Sequence, residues 1–139
     1  MKTYNIKEIS QMFHFPPSTL RYYEETGILT DVERTVSGQR IYTDKHVNRL
    51  NTICCFKNTG MTISQLKEFF SYEASEADCI DDILLLLQEQ KESVSARIIQ
   101  LQKDYEHVCK KLRYYEDIKK SLEEQTPHPD WENYKCAIR

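Results

Sequence analysis

From about Cys79 to Gln125 apolar residues recur every seven positions, and this repeat limits the possible folds more than any other feature of the chain. Leu84, Ile98, Tyr105 and Leu112 fall on one heptad position, interrupted by Lys91 and Lys119. Leu87, Val94, Leu101, Val108, Tyr115 and Leu122 fall on the other. Neither glycine nor proline occurs between residues 61 and 126, so the pattern predicts one unbroken helix with a coiled-coil seam. About 45 residues at ~1.5 Å each make a rod of roughly 65 Å, far longer than a small neighbouring domain covers. The seam therefore implies self-association, against the competing reading of a helix folded back on its own domain. Leu85 and Leu86 widen the stripe at its start, which suits packing on the N-terminal domain. Thr126-Pro127-His128-Pro129 stops the helix and leaves a short tail.

Upstream, three glycines act as punctuation: Gly27, Gly38 and Gly60 each stand where a periodic segment ends. Asn5 is placed to cap a helix with Ile6, Ile9, Met12 and Phe13 on its apolar face. Pro17 suits the first turn of a second helix ending near Gly27. A tight His14-Phe15-Pro16 corner between the two gives the outline of a helix-turn-helix. Arg34 to Thr43 has β-branched and aromatic residues flanking Ser37-Gly38, a hairpin signal, and a hairpin in that place is a wing. Asp44 begins a third helix closed by Gly60. Thr62 caps a fourth, with Gln65 in capping-box position and Leu66, Phe69 and Phe70 following. The expected fold class is all-α with a small β wing. The divisions are a winged helix-turn-helix domain at 1–76, a coiled-coil helix at 77–125 and a tail at 126–139.

The second helix carries Ser18, Thr19, Arg21 and Tyr22 on the face opposite Leu20, while Tyr23 turns inward. Hydroxyls, a guanidinium and a phenol in the first two turns match the inventory that grips phosphates and base edges in a major groove. Glu24 and Glu25 lie further along, where such contact ends; the alternative for Arg21 is a surface ion pair with one of them. Net charge is −3, which by itself speaks against a nucleic-acid partner. The distribution differs: residues 1–70 hold nine Lys/Arg and seven Asp/Glu, and residues 71–139 hold ten and fifteen. Arg34 to Lys57 contains five cations and one acid, a patch compatible with phosphate contact or with a solvated face.

The run Ser18-Thr19-Leu20-Arg21-Tyr22-Tyr23-Glu24, then Gly27-Ile28-Leu29, Gly38-Gln39-Arg40-Ile41-Tyr42 and Gly60-Met61-Thr62-Ile63, closely resembles the MerR family of bacterial transcription regulators. The resemblance is dense over residues 3–72, and the long helix that follows fits the family's dimerisation helix. It implies a homodimer held by an antiparallel coiled coil on double-stranded promoter DNA, at a near-palindromic site between over-separated promoter elements. An inducer then changes the angle between the two DNA-binding domains, distorting the duplex so that RNA polymerase engages both elements. Control of that kind works through deformation energy of the DNA. The expected DNA-contact set is Ser18, Thr19, Arg21 and Tyr22, with Arg40 and Tyr42 from the wing. The expected dimerisation set is Leu84, Leu87, Val94, Ile98, Leu101, Tyr105, Val108 and Leu112. Two positions depart from the family pattern. Pro16 replaces the usual capping Ser or Thr, a loss of about 1 kcal/mol, and His14 stands where the corner usually has Gly.

No nucleophile, base and orienter constellation, phosphate loop or metal-hydrolase motif occurs, so neither an enzyme nor a cofactor is expected. A coiled-coil adaptor without DNA binding would share the heptads but would not need the polar face of the second helix. No run of 18 apolar residues exists, and MKTYNIKEIS lacks the apolar core of a secretion signal, which predicts a cytoplasmic chain without membrane contact. Five cysteines without a Cys-x-x-Cys suit reduced thiols.

The tail of about a dozen residues is too short for the separate ligand-binding domain of the family's drug-responsive members. The expected inducer is therefore small: a reactive electrophile, a metal or an oxidant. At 100° per residue, Cys54 falls within about 40° of Val47 and Leu50 on the predicted core stripe, whereas Cys55 turns toward Asn48, Asn51 and Thr52. Cys54 reads as packing and Cys55 as a reachable thiol. Cys55-Phe-Lys-Asn-Thr-Gly60 further resembles the aldehyde- and nitrosative-stress-responsive branch, in which a cysteine at this position is the proposed sensor. Against this, Cys55 lies near a helix C-terminus, where the dipole disfavours a thiolate. The alternative sensor is a metal site combining Cys79 with His128 and Cys136 of an antiparallel partner.

Overall fold

The computed structural model describes residues 2–134. Asn5 fixes where the first helix starts: its side chain accepts from the Glu8 N–H at 2.8 Å while the Glu8 carboxylate accepts from the Asn5 N–H at 3.1 Å. From this reciprocal cap α1 runs Ile6–Phe13 and buries Ile9 completely. His14 ends α1 in the left-handed region at φ 57°, a conformation that costs a residue with a Cβ. The corner is held by backbone and side-chain bonds from Phe15 and Ser10, the Phe15 N–H donating to Ser10 O at 3.1 Å and the Ser10 hydroxyl donating to Phe15 O. Helix α2, Pro17–Thr26, then begins at Pro16, which makes no side-chain cap, and closes at Gly27, φ 84°.

Next come β2 (Glu33–Arg34) and β3 (Arg40–Thr43), antiparallel with Glu33 opposite Ile41 and Arg34 opposite Arg40. The connecting turn closes through Gly38 N–H to Thr35 O at 2.9 Å, with Gly38 at φ 87° as the turn requires. This is the expected wing. A third strand was not expected: β1, Thr3–Tyr4, pairs on the other side of β3, giving the order β1-β3-β2. Two residues carry no periodicity of their own, so only the available edge of β3 makes them a strand. The Tyr4 hydroxyl reinforces it by donating to Asp44 Oδ1 at 2.9 Å.

Helices α3 (Asp44–Asn58) and α4 (Ile63–Glu73) complete the domain, α4 starting from the Thr62–Gln65 capping box. The core stripe of α3 differs from the sequence reading. His46, Leu50 and Ile53 are the buried residues, while Val47 and Cys54 are half-buried. His46 is admitted because both ring nitrogens are satisfied. Nδ1 accepts from the Thr43 N–H at 2.9 Å, which leaves the proton on Nε2 for Thr30 O, also at 2.9 Å. Ile9, Leu20, Ile28, Leu50, Ile53 and Leu66 are each fully enclosed. At roughly 1.5–3 kcal/mol per side chain they are the main source of the fold's stability.

The chain divides into two compact units, Met1–Gln90 and Lys91–Arg139, and α5, Ile80–Glu124, contributes to both. The first unit takes in the opening turns of α5. Leu86 is buried there, with Ile83 and Leu87 packed against the same core. Leu85, expected to pack beside Leu86, is instead 60% exposed. Within the second unit α5 leaves through Gln125 at φ 56°, and a one-turn helix at Trp131–Asn133 returns along it. Trp131 lies edge-on to Tyr114 with ring centroids 5.3 Å apart, and Lys111 Nζ sits 3.7 Å from its ring centroid. The Tyr134 hydroxyl donates to Asp117 Oδ2 at 2.5 Å.

Candidate nucleic-acid interface

Leu20 and Tyr23 anchor α2 in the core, and the aromatic cluster beneath the corner locks it in rotation: Phe13 stacks on Phe15, whose ring meets Tyr23 edge-on, both at 5.9 Å. With the inner face fixed, Ser18, Arg21 and Tyr22 are exposed and Thr19 is half-buried. Four of the expected contact residues therefore share one outward surface, and Leu20 lies behind them, as the periodicity requires.

The wing is joined to this helix by Arg40, whose Nε donates to Glu24 Oε2 at 2.6 Å, with both side chains about four-fifths covered (19% and 18% exposed). Sequence reasoning offered Glu24 as a partner for Arg21; its partner is the wing. Arg40, an expected DNA contact, thus has Nε committed to keeping wing and recognition helix in register. Tyr42 requires a correction. It was expected to contact DNA with Arg40; the pleat does put it on the same face of β3 as Arg40, but it is completely buried there, edge-on to His46 at 5.8 Å. Strand alternation sends Tyr42 inward between its half-buried neighbours Ile41 and Thr43. Burial pushes its phenol up to about 12, helped by the Glu24 carboxylate and opposed by Arg40, Arg21 and Arg34. At the tip of the wing Val36 is fully exposed.

The paired thiols separate as adjacency on a helix demands. Cys55 is exposed; Cys54 is half-buried, and desolvation raises its pKa, with Cys55 adding to the effect. Cys54 accordingly flanks the core, and Ile53 holds the central place assigned to it. Of the alternative metal set, Cys79 is half-buried and His128 exposed, with Nδ1 2.8 Å from Pro129 O. Cys136 lies outside the described residues. Among the described residues no three His, Cys, Asp or Glu side chains are grouped to hold a metal ion. No described helix is long and apolar enough to cross a membrane.

On the expected dimerisation stripe, Leu84, Ile98, Leu101, Tyr105, Val108 and Leu112 are all 59–68% exposed. Val94 is half-buried, and Leu87 is partly taken by the first unit's core. The returning tail packs on the flank carrying His107, Lys111 and Tyr114. It leaves the stripe open.

Residues 4–73 match the family described as MerR HTH family regulatory protein. The chain belongs to the MerR family. An uncharacterized HTH-type transcriptional regulator of Haemophilus influenzae is 31% identical over 117 residues, covering 84% of this chain and 87% of that one. The regulator ZntR of Escherichia coli K12 is 31% identical over 100 residues, 71% of each chain. Among solved structures, HiNmlR, a MerR family regulator lacking the sensor domain and bound to promoter DNA, shares 30% identity. Its TM-score is 0.75, covering 85% of this chain and 94% of that one. As a MerR regulator this chain is a DNA-binding transcription factor, neither an enzyme nor a coiled-coil adaptor, and its small wing and long C-terminal helix are those of its structural neighbours.

Proposed function

We propose that this MerR regulator binds a near-palindromic promoter site as a homodimer and distorts it for RNA polymerase when a small electrophile modifies Cys55. The observation that carries the DNA contact is the outward surface of Ser18, Thr19, Arg21 and Tyr22 on a helix whose rotation the core fixes. Arg21 and the hydroxyls meet phosphates and base edges, and Arg40 aligns the wing beside them. The promoter-bound relative HiNmlR, similar over 94% of its own length and described as lacking the sensor domain, supports the same use here.

The open stripe supports the homodimer. Six aliphatic and aromatic side chains more than half exposed along one helix favour burial against a second copy by about 10 kcal/mol in gross terms. An antiparallel pairing would place the two DNA-binding units at opposite ends of the seam. For the sensor, the supporting observation is the contrast between two neighbouring thiols, one exposed and one shielded with a raised pKa. A nucleophilic cysteine must be reachable, and Cys55 is the more exposed of the pair.

The test is in vitro transcription from a promoter that the protein binds, with aldehydes, thiol oxidants and soft metals supplied in turn. Aldehyde induction is expected to disappear in Cys55→Ser and to persist in Cys79→Ser. Induction by a soft metal that fails in Cys79→Ser would replace the electrophile with the Cys79, His128 and Cys136 set. For the contact face, Arg21→Ala is expected to weaken promoter binding at least tenfold and to reduce the slope of log affinity against log salt by about 0.9. An unchanged slope would remove Arg21 from the phosphate contacts.

A further inference from the structure

Helix α3 is tied to the DNA-reading elements at one end and to α5 at the other. At its start, Thr43 and His46 connect it to β3 and to Thr30. Midway, Arg49 Nε donates to Ile28 O at 2.8 Å, just beyond the end of α2, while the guanidinium lies 3.6 Å from the Phe70 ring centroid. At its end Thr59 caps the helix, its N–H reaching Phe56 O at 3.1 Å and its hydroxyl donating to the same oxygen at 2.6 Å. The outward atoms of Thr59 are then met by a side chain 31 positions away. Gln90 Nε2 lies 2.8 Å from Thr59 O and 3.0 Å from Thr59 Oγ1.

Two kinds of force therefore hold the start of α5 on the first unit. Leu86, 9% exposed, is buried in the first unit's core, a non-directional apolar contribution. With Ile83 and Leu87 packed on the same core, it turns one face of α5 inward. The Gln90 amide adds a directional constraint to that face: a hydrogen bond weakens steeply as its angle departs from linearity, so two acceptors on one residue narrow the allowed rotation further. The bonds from Arg49 to Ile28 and from His46 to Thr30 tie α3 in turn to the segment that follows α2.

We propose that Gln90 is a positioning residue for promoter recognition, setting the angle at which the dimerisation helix leaves the DNA-binding unit. This rests on the homodimer reading given above. In a dimer joined through α5, that angle fixes the separation and relative rotation of the two recognition surfaces, and hence the half-site spacing that both engage at once. Gln90 touches no DNA. Its loss changes which spacing is preferred, while each half-site is read as before.

The experiment uses the full chain and an operator selected from a random duplex pool, remade with half-site separations one and two base pairs longer and shorter, plus a single half-site. Gln90→Ala, Gln90→Glu and Thr59→Val are compared with wild type and with Glu89→Gln, an exposed neighbour on the same turn. Gln90→Glu keeps the side-chain length but presents a carboxylate that cannot donate to Thr59. Thr59→Val removes one of the two acceptors and keeps the carbonyl. Wild type and Glu89→Gln are expected to prefer one separation by at least tenfold. Both Gln90 variants are expected to flatten or shift that preference at least fivefold, with single half-site affinity within twofold, and Thr59→Val to fall between. A spacing profile that superimposes on wild type overturns the proposal. So does single half-site affinity that falls in step with operator affinity, since Gln90 would then hold the fold together. If Gln90→Ala unfolds by circular dichroism, Thr59→Val decides by the same two criteria. A monomer by light scattering refutes the dimer reading itself, whereas a dimer with an unchanged profile refutes the role of Gln90 alone.

Discussion

Tyr42→Phe separates a residue of the core from a residue of the DNA interface. Tyr42 is wholly enclosed, and its hydroxyl finds no protein hydrogen-bond partner among the described residues. A hydroxyl removed from water without a partner costs roughly 1–3 kcal/mol, while the ring contributes apolar burial that phenylalanine retains. Removing the oxygen should therefore stabilise the Met1–Gln90 unit by about 1 kcal/mol. For a domain of this size that is a rise of about 4–8 °C in Tm, read by circular dichroism and by the urea midpoint. Operator affinity should stay within twofold, because no part of the side chain reaches the surface. Alkaline pH gives a second measure. Burial and the Glu24 carboxylate raise the folded phenol from 10.0 to about 12, so the neutral form is favoured in the native state. The associated stability is complete below pH 10, where the unfolded phenol begins to ionise, and is lost as pH rises toward 12. The wild-type urea midpoint should fall more steeply than that of Tyr42→Phe over this interval. A variant less stable than wild type by 1 kcal/mol or more, or one that loses operator affinity tenfold, would refute the reasoning. The hydroxyl would then have a partner worth more than its desolvation, or would lie on the DNA.

Three further outcomes are expected. A variant keeping only Cys55 should react with an aromatic disulfide at least tenfold faster at neutral pH than one keeping only Cys54, and the gap should narrow as pH rises, because burial raises the Cys54 pKa. Leu101→Glu and Leu112→Glu, each at a stripe position at least 60% exposed, should shift the chain from dimer to monomer by light scattering while leaving the first unit's thermal transition in place. Asp117→Ala removes the acceptor of the Tyr134 hydroxyl, and the emission of Trp131, the only tryptophan, should shift to the red as the tail loosens. An unchanged spectrum would place the tail's anchorage in the Lys111 and Tyr114 contacts alone.

Much of the contact face was legible because local rules coincide there. The Asn5 and Thr62 caps, Pro17 at a helix start and Gly27 and Gly38 at positive φ are each dictated by backbone chemistry within a few residues. The 3.6-residue period then suffices to send Leu20 inward and Arg21 outward. The same method misplaced Tyr42, which shares a face of β3 with Arg40 but is wholly enclosed there, with His46 of α3 edge-on to its ring. It also set the α3 stripe on Val47, Leu50 and Cys54, of which Leu50 alone is buried, and passed over His46 because a histidine is not counted among apolar residues. His46 enters the core once Thr43 and Thr30 satisfy both its nitrogens, and Thr30 is 16 residues away.

The sequence by itself determined the class of molecule: a capped helix pair, a hairpin and a heptad stripe with no glycine or proline to interrupt it, all patterns with periods shorter than a turn or two of chain. Only the tertiary structure decided how these parts are held to one another. The pairing of β1 with β3, the Arg40–Glu24 bond that aligns wing and helix, and the Gln90 amide on Thr59 join residues up to 40 positions apart. Such bonds leave no periodic trace, because whether a glutamine or an arginine finds its partner depends on where two rigid elements have already been placed by burial.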